Sequence, residues 1–370
     1  MIWLLASRWE AGGLERVLLN LSRALNDNGV ANSIIAGRAL GGPGHPDEVQ
    51  YRAPRGALEF LLRLPLLVAR HKPSVLCTTS NDVAIWLLAW RRWLFPGTAI
   101  VAAQHLSLSA PRTEASGLRR LKLVLIRHGM RCMLPKAEAV VAVSEGVASD
   151  LSKELGIERA AIHVIYNPLA EDGAHSEATP EARVTWPFQD DHVPVIAFAG
   201  RLVRVKRLDL LLGAFLEVLK VRPAHLLVLG DGPASDMLKQ AIKAAGVEHM
   251  CALPGRVIDI RPWLIRSAVL VLPSDYEGFG NVLVEAMLCG TQVVSTDCPS
   301  GPAEILEHGR FGQLVPVGDR DALTQALLAS LAGTFRVPAE VLRKRGGQFS
   351  INKARDAYAK VFEGARRRRY

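Results

Sequence analysis

The second half of the chain alternates between short apolar runs and segments with the periodicity of amphipathic helices. Each run is mostly apolar and leads into turn residues such as Gly, Pro or Asp. The runs are residues 195–199, 226–229, 251–253, 269–272, 292–295 and 312–315. Strands this short and apolar, each followed by a helix, are typical of a parallel sheet that helices cover on both faces. The pattern predicts a doubly wound α/β domain.

The first half repeats this pattern less regularly. Apolar runs at 2–6, 74–78, 100–103 and 139–143 predict strands, whereas 34–51, rich in polar residues, Gly and Pro, is interpreted as a connection. At 370 residues the chain suits two domains. The predicted divisions are an N-terminal domain at 1–172, a linker at 173–192, a second domain at 193–350, and a last helix with a basic tail at 351–370.

The turn after the run at 269–272 has the strongest chemical signal. It reads PSDYEGFGNVLVE, with Glu277 in the turn and Glu285 about two turns into the next helix. Two carboxylates at this separation can bind different hydroxyls of one polyhydroxylated ligand. The glycines allow a close backbone approach, and the first helical amides favour a phosphate. The residues concerned are Gly278, Phe279, Gly280, Asn281 and Val282. Spacing alone also fits a first-turn acid and a solvated acid on a polar helix face.

Three further positions lie where strands are predicted to end. Gly12 and Gly13 stand between the first strand and its helix, where a glycine turn lets a phosphate approach, although most such pairs only form a tight turn. Arg201 and Lys206 follow the strand at 195–199, and two cations at this spacing can neutralise a diphosphate. His105 follows the strand at 100–103, on the rim where open α/β sheets bind ligands, although a loop histidine often has no task.

Positive charge is concentrated in one segment. The whole chain has a net charge of +9, whereas residues 52–136 contain 14 Lys or Arg and 3 acids, a net charge of +11. Three predicted helices there mix leucine or tryptophan with arginine, a composition that suits an anionic membrane interface. The competing interpretation is that the leucines pack into the core and the arginines are solvated. No motif for reading nucleic acid accompanies the charge, so no nucleic-acid partner is predicted.

Motifs for metals and for other cofactors are weak. The five cysteines are scattered without any CxxC pair, which argues for a reducing compartment and against structural zinc. Asp319 and Asp321 form a D-x-D pattern, but they open a predicted helix and are interpreted as a cap. There is no P-loop motif. No uncharged stretch is long enough to span a membrane, and the first apolar run is too short for a signal sequence.

Two stretches give the chain a family resemblance. EGFGNVLVE, with glutamates at 277 and 285, resembles the two-glutamate signature of the retaining enzymes of glycosyltransferase family 4, and the resemblance continues into TDCPSGPAEIL. It implies the GT-B fold, in which two Rossmann-like doubly wound parallel-sheet domains face a central cleft. It also implies that the last helix crosses back onto the first domain.

The resemblance also assigns roles to residues. It implies that Glu277 binds the hydroxyls of a donor sugar and that Glu285 binds the ribose. It further implies that Arg201 and Lys206 bind the diphosphate, that the loop at Gly12 and Gly13 lies over that diphosphate, and that His105 faces the reaction centre. The backbone at Arg256 and Val257 would meet the nucleobase.

The resemblance implies a hexosyltransferase that moves one sugar from a nucleoside-diphosphate sugar with retention of configuration. The enzyme that the resemblance implies is expected to need no metal or other cofactor. UDP-hexose or UDP-N-acetylhexosamine is the first expectation for the donor and GDP-mannose the second. The basic segment 52–136 favours a lipid-linked oligosaccharide acceptor from bacterial surface polysaccharide or glycan synthesis, with the enzyme peripheral on the cytoplasmic face of the plasma membrane, as a monomer or weak homodimer.

Two other functions fit the same architecture. One is a nucleotide-sugar epimerase, whose product stays attached to the nucleotide; the paired glutamates and their PSGPAEI context argue against it. The other is a non-catalytic sugar-nucleotide-binding subunit of an envelope polysaccharide complex. That alternative would be expected if Glu277, Arg201 or Lys206 were missing, and all three are present.

Overall fold

The computed structural model describes residues 1–9, 12–39, 49–51, 57–109, 118–171, 185–190 and 192–368. It divides into two compact units: unit 1 consists of Met1–Leu169 and Ser350–Tyr370, and unit 2 of Ala170–Phe349. The predicted linker at 173–192 lies mostly outside the described residues, and Arg369 at the end of the basic tail also lies outside them.

Unit 1 is built on a seven-stranded parallel sheet in the order β3-β2-β1-β4-β5-β6-β7. The strands are β1 Ile2–Trp9, β2 Asn32–Ala39, β3 Val49–Tyr51, β4 Val75–Thr78, β5 Ala99–Gln104, β6 Ala139–Ala142 and β7 Ile162–Val164. The order of the strands reverses between β1 and β4, which makes the sheet doubly wound.

The helices of unit 1 form two layers. They are α1 Gly13–Asp27, α2 Ala57–His71, α3 Asn81–Leu94, α4 Leu118–Met133 and α5 Glu145–Leu155, with the last helix of the chain, Ile351–Arg367, added to them. On one sheet face, Leu4 and Leu21 form a core with Tyr358 and Phe362 of the last helix. On the other face, α2 and α3 cover Leu5 with a second core. The last helix therefore belongs to the core of unit 1.

The connection predicted at 34–51 was wrong. Residues 32–39 form β2, which pairs with β1 in parallel register, and 49–51 form β3. Only Ile34, Ile35 and Ala36 supply an apolar run, and Gly37 interrupts it. That glycine has a packing reason, since a Cβ there would lie 2.3 Å from the backbone oxygen of Ser7. Pairing with β1 stabilises this strand although its local propensity is weak.

A proline inside α2 is compensated by a tryptophan of α3. Pro65 has no N–H, so the carbonyl of Leu61, four residues earlier, lacks its usual helical donor. The indole Nε1–H of Trp86 donates to that carbonyl at 2.6 Å. This bond fixes α2 against α3, which in turn packs against α4 where Gly129 lies against Ile85.

Unit 2 contains the sheet that the second half of the sequence predicts. Its strands are β8 Val195–Ala199, β9 His225–Leu229, β10 Cys251–Gly255, β11 Val269–Leu272, β12 Gln292–Thr296 and β13 Gln313–Val315. All are parallel, in the order β10-β9-β8-β11-β12-β13. Each predicted run coincides with one of them within a few residues. Residues of β8 and β11 are fully buried because helices cover both faces.

The helices of unit 2 complete the numbering. They are α6 Leu208–Leu219, α7 Ser235–Ala244, α8 Arg261–Ile265, α9 Asn281–Leu288, α10 Pro302–Ile305, α11 Arg320–Ala332 and α12 Ala339–Gly346; the last helix of unit 1 is α13. The cap predicted at Asp319 is confirmed, since its Oδ1 accepts a hydrogen bond from the amide of Ala322 at 2.9 Å. The order of the strands reverses between β8 and β11, so the connections that leave these two strands diverge.

Candidate functional site

The carboxyl ends of β8 and β11 and the loops that follow them, at 200–207 and 273–280, are together named the crevice of unit 2. In open parallel sheets, ligands bind where the strand order reverses, because the two diverging connections leave a gap there. Both loops contain residues that the sequence predicts to be functional. The topology of unit 2 therefore brings these two predicted segments to one place.

Lys206 and Glu277 meet across this crevice. The ammonium Nζ of Lys206 lies 2.5 Å from Oε1 of Glu277. The same Oε1 accepts a hydrogen bond from the hydroxyl of Ser274 at 2.6 Å. Both charged side chains are largely buried, with 20% of Lys206 and 11% of Glu277 exposed. Lys206, which is predicted to bind the diphosphate, and Glu277, which is predicted to bind the sugar, are thus hydrogen-bonded to each other.

Arg207, the next residue along, links the same two loops. Its Nη1 donates to Oδ1 of Asp275 at 2.9 Å, and its Nε and Nη2 donate to Asp209 at 3.1 and 3.0 Å. The backbone amide of Asp275 also donates to the carbonyl of Val205 at 2.9 Å. Hydrogen bonds to Asp209 and then to Asp275 raise the pKa of the Arg207 guanidinium above its ordinary value. The cation is therefore fixed between two carboxylates.

Glycines allow the loops at the edge of this sheet to approach one another. Gly230, after β9, has φ +138°, and a Cβ there would lie 1.9 Å from the carbonyl oxygen of Gly200 after β8. Gly301 has φ +96°, and a Cβ there would lie 1.9 Å from the carbonyl oxygen of Phe279. Any side chain at these two positions would displace the loops that carry the site.

Helix α9 begins at the crevice. Gly280 is its N-cap in the left-handed region, with φ +100°, so the predicted phosphate-binding amides at Asn281 and Val282 lie in its first turn. Amides in a first helical turn have no acceptor within the helix and favour an anion. Glu285 lies on the second turn and is half-buried. Phe279 is buried and packs edge-on against Phe349 at 5.4 Å between ring centroids.

The other predicted residues of unit 2 lie at the same sheet edge. Arg201 follows β8 and is exposed. Arg256 and Val257 follow β10; the first is exposed and the second half-buried. Gly278 is buried in the turn before α9. Among the predicted residues, Lys206 and Glu277 are in direct contact.

Gly12, Gly13 and His105 lie in unit 1, also after carboxyl ends of strands. Gly12 is the N-cap of α1, and its amide donates to Oε2 of Glu15 at 2.9 Å, which is the N3 carboxylate of a capping box. Gly13 is the first helical residue. Glu15 thus occupies an amide that the sequence interpretation assigns to a phosphate. The capping-box spacing is the signal in the sequence that could have identified Glu15.

His105 is a neutral imidazole whose ring nitrogen Nε2 is buried. Although the residue is partly exposed, Nε2 is inaccessible and has no hydrogen-bond partner in the part of the chain that the structure describes. Burial lowers the pKa of His105 to about 4. The loop that follows it is held by Asp150, whose Oδ2 accepts the amide of Leu108 at 2.5 Å. At neutral pH the ring has one nitrogen that can donate a hydrogen bond and one that can accept, but it has no charge.

Sequence reasoning missed several residues that hold this chemistry in place. They are Ser274, Asp275 and Arg207 in unit 2, and Glu15 and Asp150 in unit 1. Except for the capping box and for Ser274, which lies three residues before Glu277 in the same loop, the contacts that give these residues importance depend on how separate loops fold together. A single sequence has no signal for such partners.

A second surface of unit 1 is apolar and exposed. Leu58, Leu62 and Leu66, one helical face of α2, are exposed by 72, 58 and 65%. The opposite face of α2 buries Phe60 and Leu64 in the core, so α2 is apolar on both faces. The neighbouring helices add Trp90, Trp93, Leu121, Val124 and Leu125, all exposed. These eight side chains together are named the apolar surface.

The arginines on the same helices differ in their contacts. Arg92, Arg70 and Arg131 are exposed, whereas Arg127 is paired with Glu154 and Arg91 with Glu138. The side chains of Arg119 and Arg120 lie outside the described ones. Within the residues that the structure describes, no helix has the length and hydropathy needed to cross a bilayer.

Profiles of two protein families match the chain. The family described as "Glycosyltransferase Family 4" matches residues 11–172, and the family described as "Glycosyl transferases group 1" matches residues 193–332. The first range contains Gly12, Gly13 and His105, and the second contains the crevice.

One curated relative matches along nearly the whole length. The lipopolysaccharide core biosynthesis glycosyltransferase LpsE of Rhizobium meliloti (strain 1021) is 31% identical over 366 residues, covering 95% of each chain. Some other relatives match over only part of their length. An N-acetylgalactosaminyltransferase of Campylobacter jejuni that acts on a diphospho-undecaprenol-linked sugar is 29% identical over 54% of this chain and 52% of that enzyme. The chain spans 19% and 49% of the length of two further relatives.

A solved structure has the same fold. HepE from Anabaena, in complex with UDP and glucose, aligns with a TM-score of 0.77 and 20% identity over 98% of this chain and 99% of that chain. At this identity the likeness establishes the architecture of the two parallel-sheet units, which is the GT-B fold.

Proposed function

Because this chain belongs to glycosyltransferase family 4 and has the GT-B fold, we propose that it is a retaining hexosyltransferase that uses a nucleoside-diphosphate sugar. The observation that carries this proposal is the contact between Lys206 and Glu277 at the point where the strand order of unit 2 reverses. A cation and a carboxylate held together there match a ligand that presents phosphate and hydroxyls side by side.

The donor binds with its diphosphate on the cationic side of the crevice. Lys206 and Arg201 neutralise the phosphates, and the first turn of α9 adds backbone amides. Glu277 accepts hydrogen bonds from hydroxyls of the donor sugar, and Glu285, further along α9, accepts them from the ribose. The backbone at Arg256 and Val257, after β10, contacts the base. Lys206 and Glu277 also pair with each other, so the donor's phosphate and hydroxyls bind next to one another.

Bond cleavage leaves negative charge on the departing phosphate and positive charge on the sugar. Lys206, Arg201 and the amides of α9 stabilise the phosphate as this charge develops. The incoming hydroxyl attacks from the face that the phosphate leaves, and the phosphate takes its proton, which retains configuration without an enzyme nucleophile. His105 contributes hydrogen bonding as a neutral ring, since burial keeps its pKa at about 4. Because side chains and amides supply the positive charge, the reaction proceeds without a metal or other cofactor.

Support for the donor comes from the proteins that this chain resembles. HepE was solved with UDP and glucose, and the Campylobacter relative is an N-acetylgalactosaminyltransferase. We therefore propose a UDP-hexose or UDP-N-acetylhexosamine donor. GDP-mannose is the second choice, since another relative is a lipopolysaccharide core mannosyltransferase of Rhizobium leguminosarum bv. viciae.

The acceptor is a lipid-linked oligosaccharide, and the enzyme acts as a peripheral protein at the cytoplasmic face of the plasma membrane. The apolar surface supports this part of the proposal. Eight large apolar side chains exposed on adjacent helices exceed the scattered exposure that is normal on a protein surface. Exposed arginines on these helices, such as Arg92 next to Trp93 in sequence, suit anionic headgroups while the apolar side chains enter the interface. The enzyme works as a monomer or weak homodimer.

Activity is tested by incubating the purified protein with UDP- and GDP-sugars and a lipid-linked glycan extract, with and without EDTA, and analysing products by mass spectrometry. The proposal expects one additional hexose on the lipid-linked glycan, in both conditions. A changed sugar still attached to nucleotide would instead identify an epimerase. Binding of a nucleotide sugar with no product from any acceptor would favour the non-catalytic subunit.

Membrane docking is tested by co-sedimentation with vesicles of phosphatidylcholine alone and of phosphatidylcholine with phosphatidylglycerol. The wild type is expected to sediment with the anionic vesicles. The variant Leu62→Gln with Trp93→Gln should lose most of this binding, whereas Val221→Gln, which changes an equally exposed apolar residue of unit 2, should not. Equal sedimentation of all three proteins would contradict the membrane proposal and leave the donor proposal intact.

A further inference from the structure

The conformation of Arg207 is unusual for its residue type. Its φ and ψ are +49° and +51°, the left-handed region that L side chains rarely adopt, and it serves as the N-cap of α6. Glycine would adopt this conformation without a steric penalty. The side chain of Arg207 makes hydrogen bonds that a glycine at this position would lack.

These hydrogen bonds join two loops. The guanidinium uses its Nε and Nη2 on Asp209, which lies two residues away on its own helix, and its Nη1 on Asp275, which lies on the other side of the crevice. The hydrogen bond from Arg207 to Asp275 at 2.9 Å joins the same two loops as the backbone hydrogen bond from Asp275 to Val205. The loop after β8 and the loop after β11 are thus linked twice.

The link involves residues next to Lys206 and Glu277 in the sequence. Lys206 is the neighbour of Arg207, and Glu277 is two residues beyond Asp275. Two carboxylates already neutralise the guanidinium of Arg207, so it is poorly suited to be a further phosphate ligand. It acts on the ligand through the two loops.

We propose that Arg207 is a positioning residue whose bridge to Asp275 holds Lys206 and Glu277 in contact across the crevice. The proposal rests on the proposed function for its effect on catalysis, but its structural part stands alone. Asp275 is the arm that spans the crevice, whereas Asp209 orients the guanidinium from the same helix. The two acids are therefore expected to differ in effect although both bind the same arginine.

The first test compares kinetic constants of Arg207→Gly, Arg207→Lys, Asp275→Asn and Asp209→Asn. Arg207→Gly keeps the left-handed backbone and removes the bridge to Asp275 together with the hydrogen bonds to Asp209. It and Asp275→Asn are expected to lower kcat/KM at least tenfold with a melting temperature within a few degrees of wild type. Arg207→Lys should recover part of the loss, Asp209→Asn should lose less than Asp275→Asn, and the double variant Arg207→Gly, Asp275→Asn should be no worse than either single variant.

The second test needs no activity. Urea unfolding of the wild type, Lys206→Met, Glu277→Gln and the double variant forms a double-mutant cycle. It measures the coupling free energy between the two side chains. The proposal expects clear coupling in the wild-type background and a loss of most of it in the Arg207→Gly background, with the exposed variant Lys220→Ala as a control that leaves it unchanged. Undiminished coupling in Arg207→Gly would overturn the proposal. A wild type that transfers no sugar, with the coupling still dependent on Arg207, would overturn only the proposed function.

Discussion

The ammonium of Lys206 lies 2.5 Å from Oε1 of Glu277, so two residues 71 positions apart in sequence form one ion pair at the carboxyl edge of the unit 2 sheet. The contact forms because β8 and β11 are neighbours in the sheet, so the loops that follow them start side by side. The connections that continue from these loops then diverge. Ser274 fixes the carboxylate from the same loop. A donor that binds here meets a lysine and a glutamate that are already aligned.

The first prediction concerns the cation. In the proposed binding mode, Lys206→Met removes a charge-assisted contact to the diphosphate that is worth roughly 1.5–3 kcal/mol, so the Kd of the nucleotide sugar should rise at least about tenfold. Arg204→Met changes an exposed cation two residues earlier and should raise it much less. Isothermal titration calorimetry measures both constants. Equal effects of the two variants would place the diphosphate elsewhere.

A second prediction follows from the buried ring of His105. Its pKa is about 4 in the folded protein, against 6.5 for an ordinary histidine, so between these values the unfolded chain binds a proton that the folded chain does not. The folded state therefore loses stability as pH falls from 6.5 towards 4, by up to about 3 kcal/mol, and keeps it above 6.5.

Urea unfolding of wild type and His105→Gln at pH 7 and at about pH 4.5 measures this effect of His105. The variant should lose less stability on acidification than the wild type does. His249→Gln changes an exposed histidine and should follow the wild type. If His105→Gln were as acid-sensitive as the wild type, the imidazole would not be a buried neutral group.

The third prediction separates backbone strain from steric collision. Gly230 and Gly246 both have positive φ, but a Cβ at Gly246 meets nothing within 4 Å whereas one at Gly230 would lie 1.9 Å from the oxygen of Gly200. Gly246→Ala should therefore cost about 1 kcal/mol of unfolding free energy, and Gly230→Ala about 3 kcal/mol or more. Chemical denaturation checks both values. Similar costs would mean that the loops after β8 and β9 move apart easily.

The fourth prediction concerns the hydrogen bond that replaces a helical one in α2. Trp86→Phe leaves the carbonyl of Leu61 without a donor and should cost about 1–3 kcal/mol. In a Pro65→Ala background, residue 65 regains an N–H for that carbonyl, so the same tryptophan substitution should cost less. Denaturation of the four proteins gives the difference. An unchanged cost would show that Trp86 contributes through packing alone.

Patterns with local causes were predictable from the sequence. The unit 2 strands are buried on both faces, so each appears as an apolar run. Asp319 caps its helix by accepting a hydrogen bond from the nearby amide of Ala322. The strand at 32–39 was missed because its stability comes from pairing with β1 and its sequence includes Asn32, Ser33 and Gly37. Propensity is a weak guide where a neighbouring strand decides the structure.

The candidate site divides in the same way. Glu277 and Lys206 could be identified because each lies in a motif, and the family resemblance assigned them separate roles. Their contact, and the bridge from Arg207 to Asp275, could not be predicted because both depend on the order of strands in the sheet. The left-handed conformation of Arg207 could not be predicted either, because nothing in the sequence around it distinguishes it from an ordinary exposed arginine.

Titration of UDP, GDP and their sugars into the wild type and Glu277→Gln by calorimetry is the decisive test of the donor site. We expect that one nucleotide class binds the wild type and that its sugar form binds more tightly than the bare diphosphate. Glu277→Gln should abolish this advantage while still binding the diphosphate. Equal affinity of both proteins for the nucleotide sugar would contradict the assignment of the crevice as the donor site.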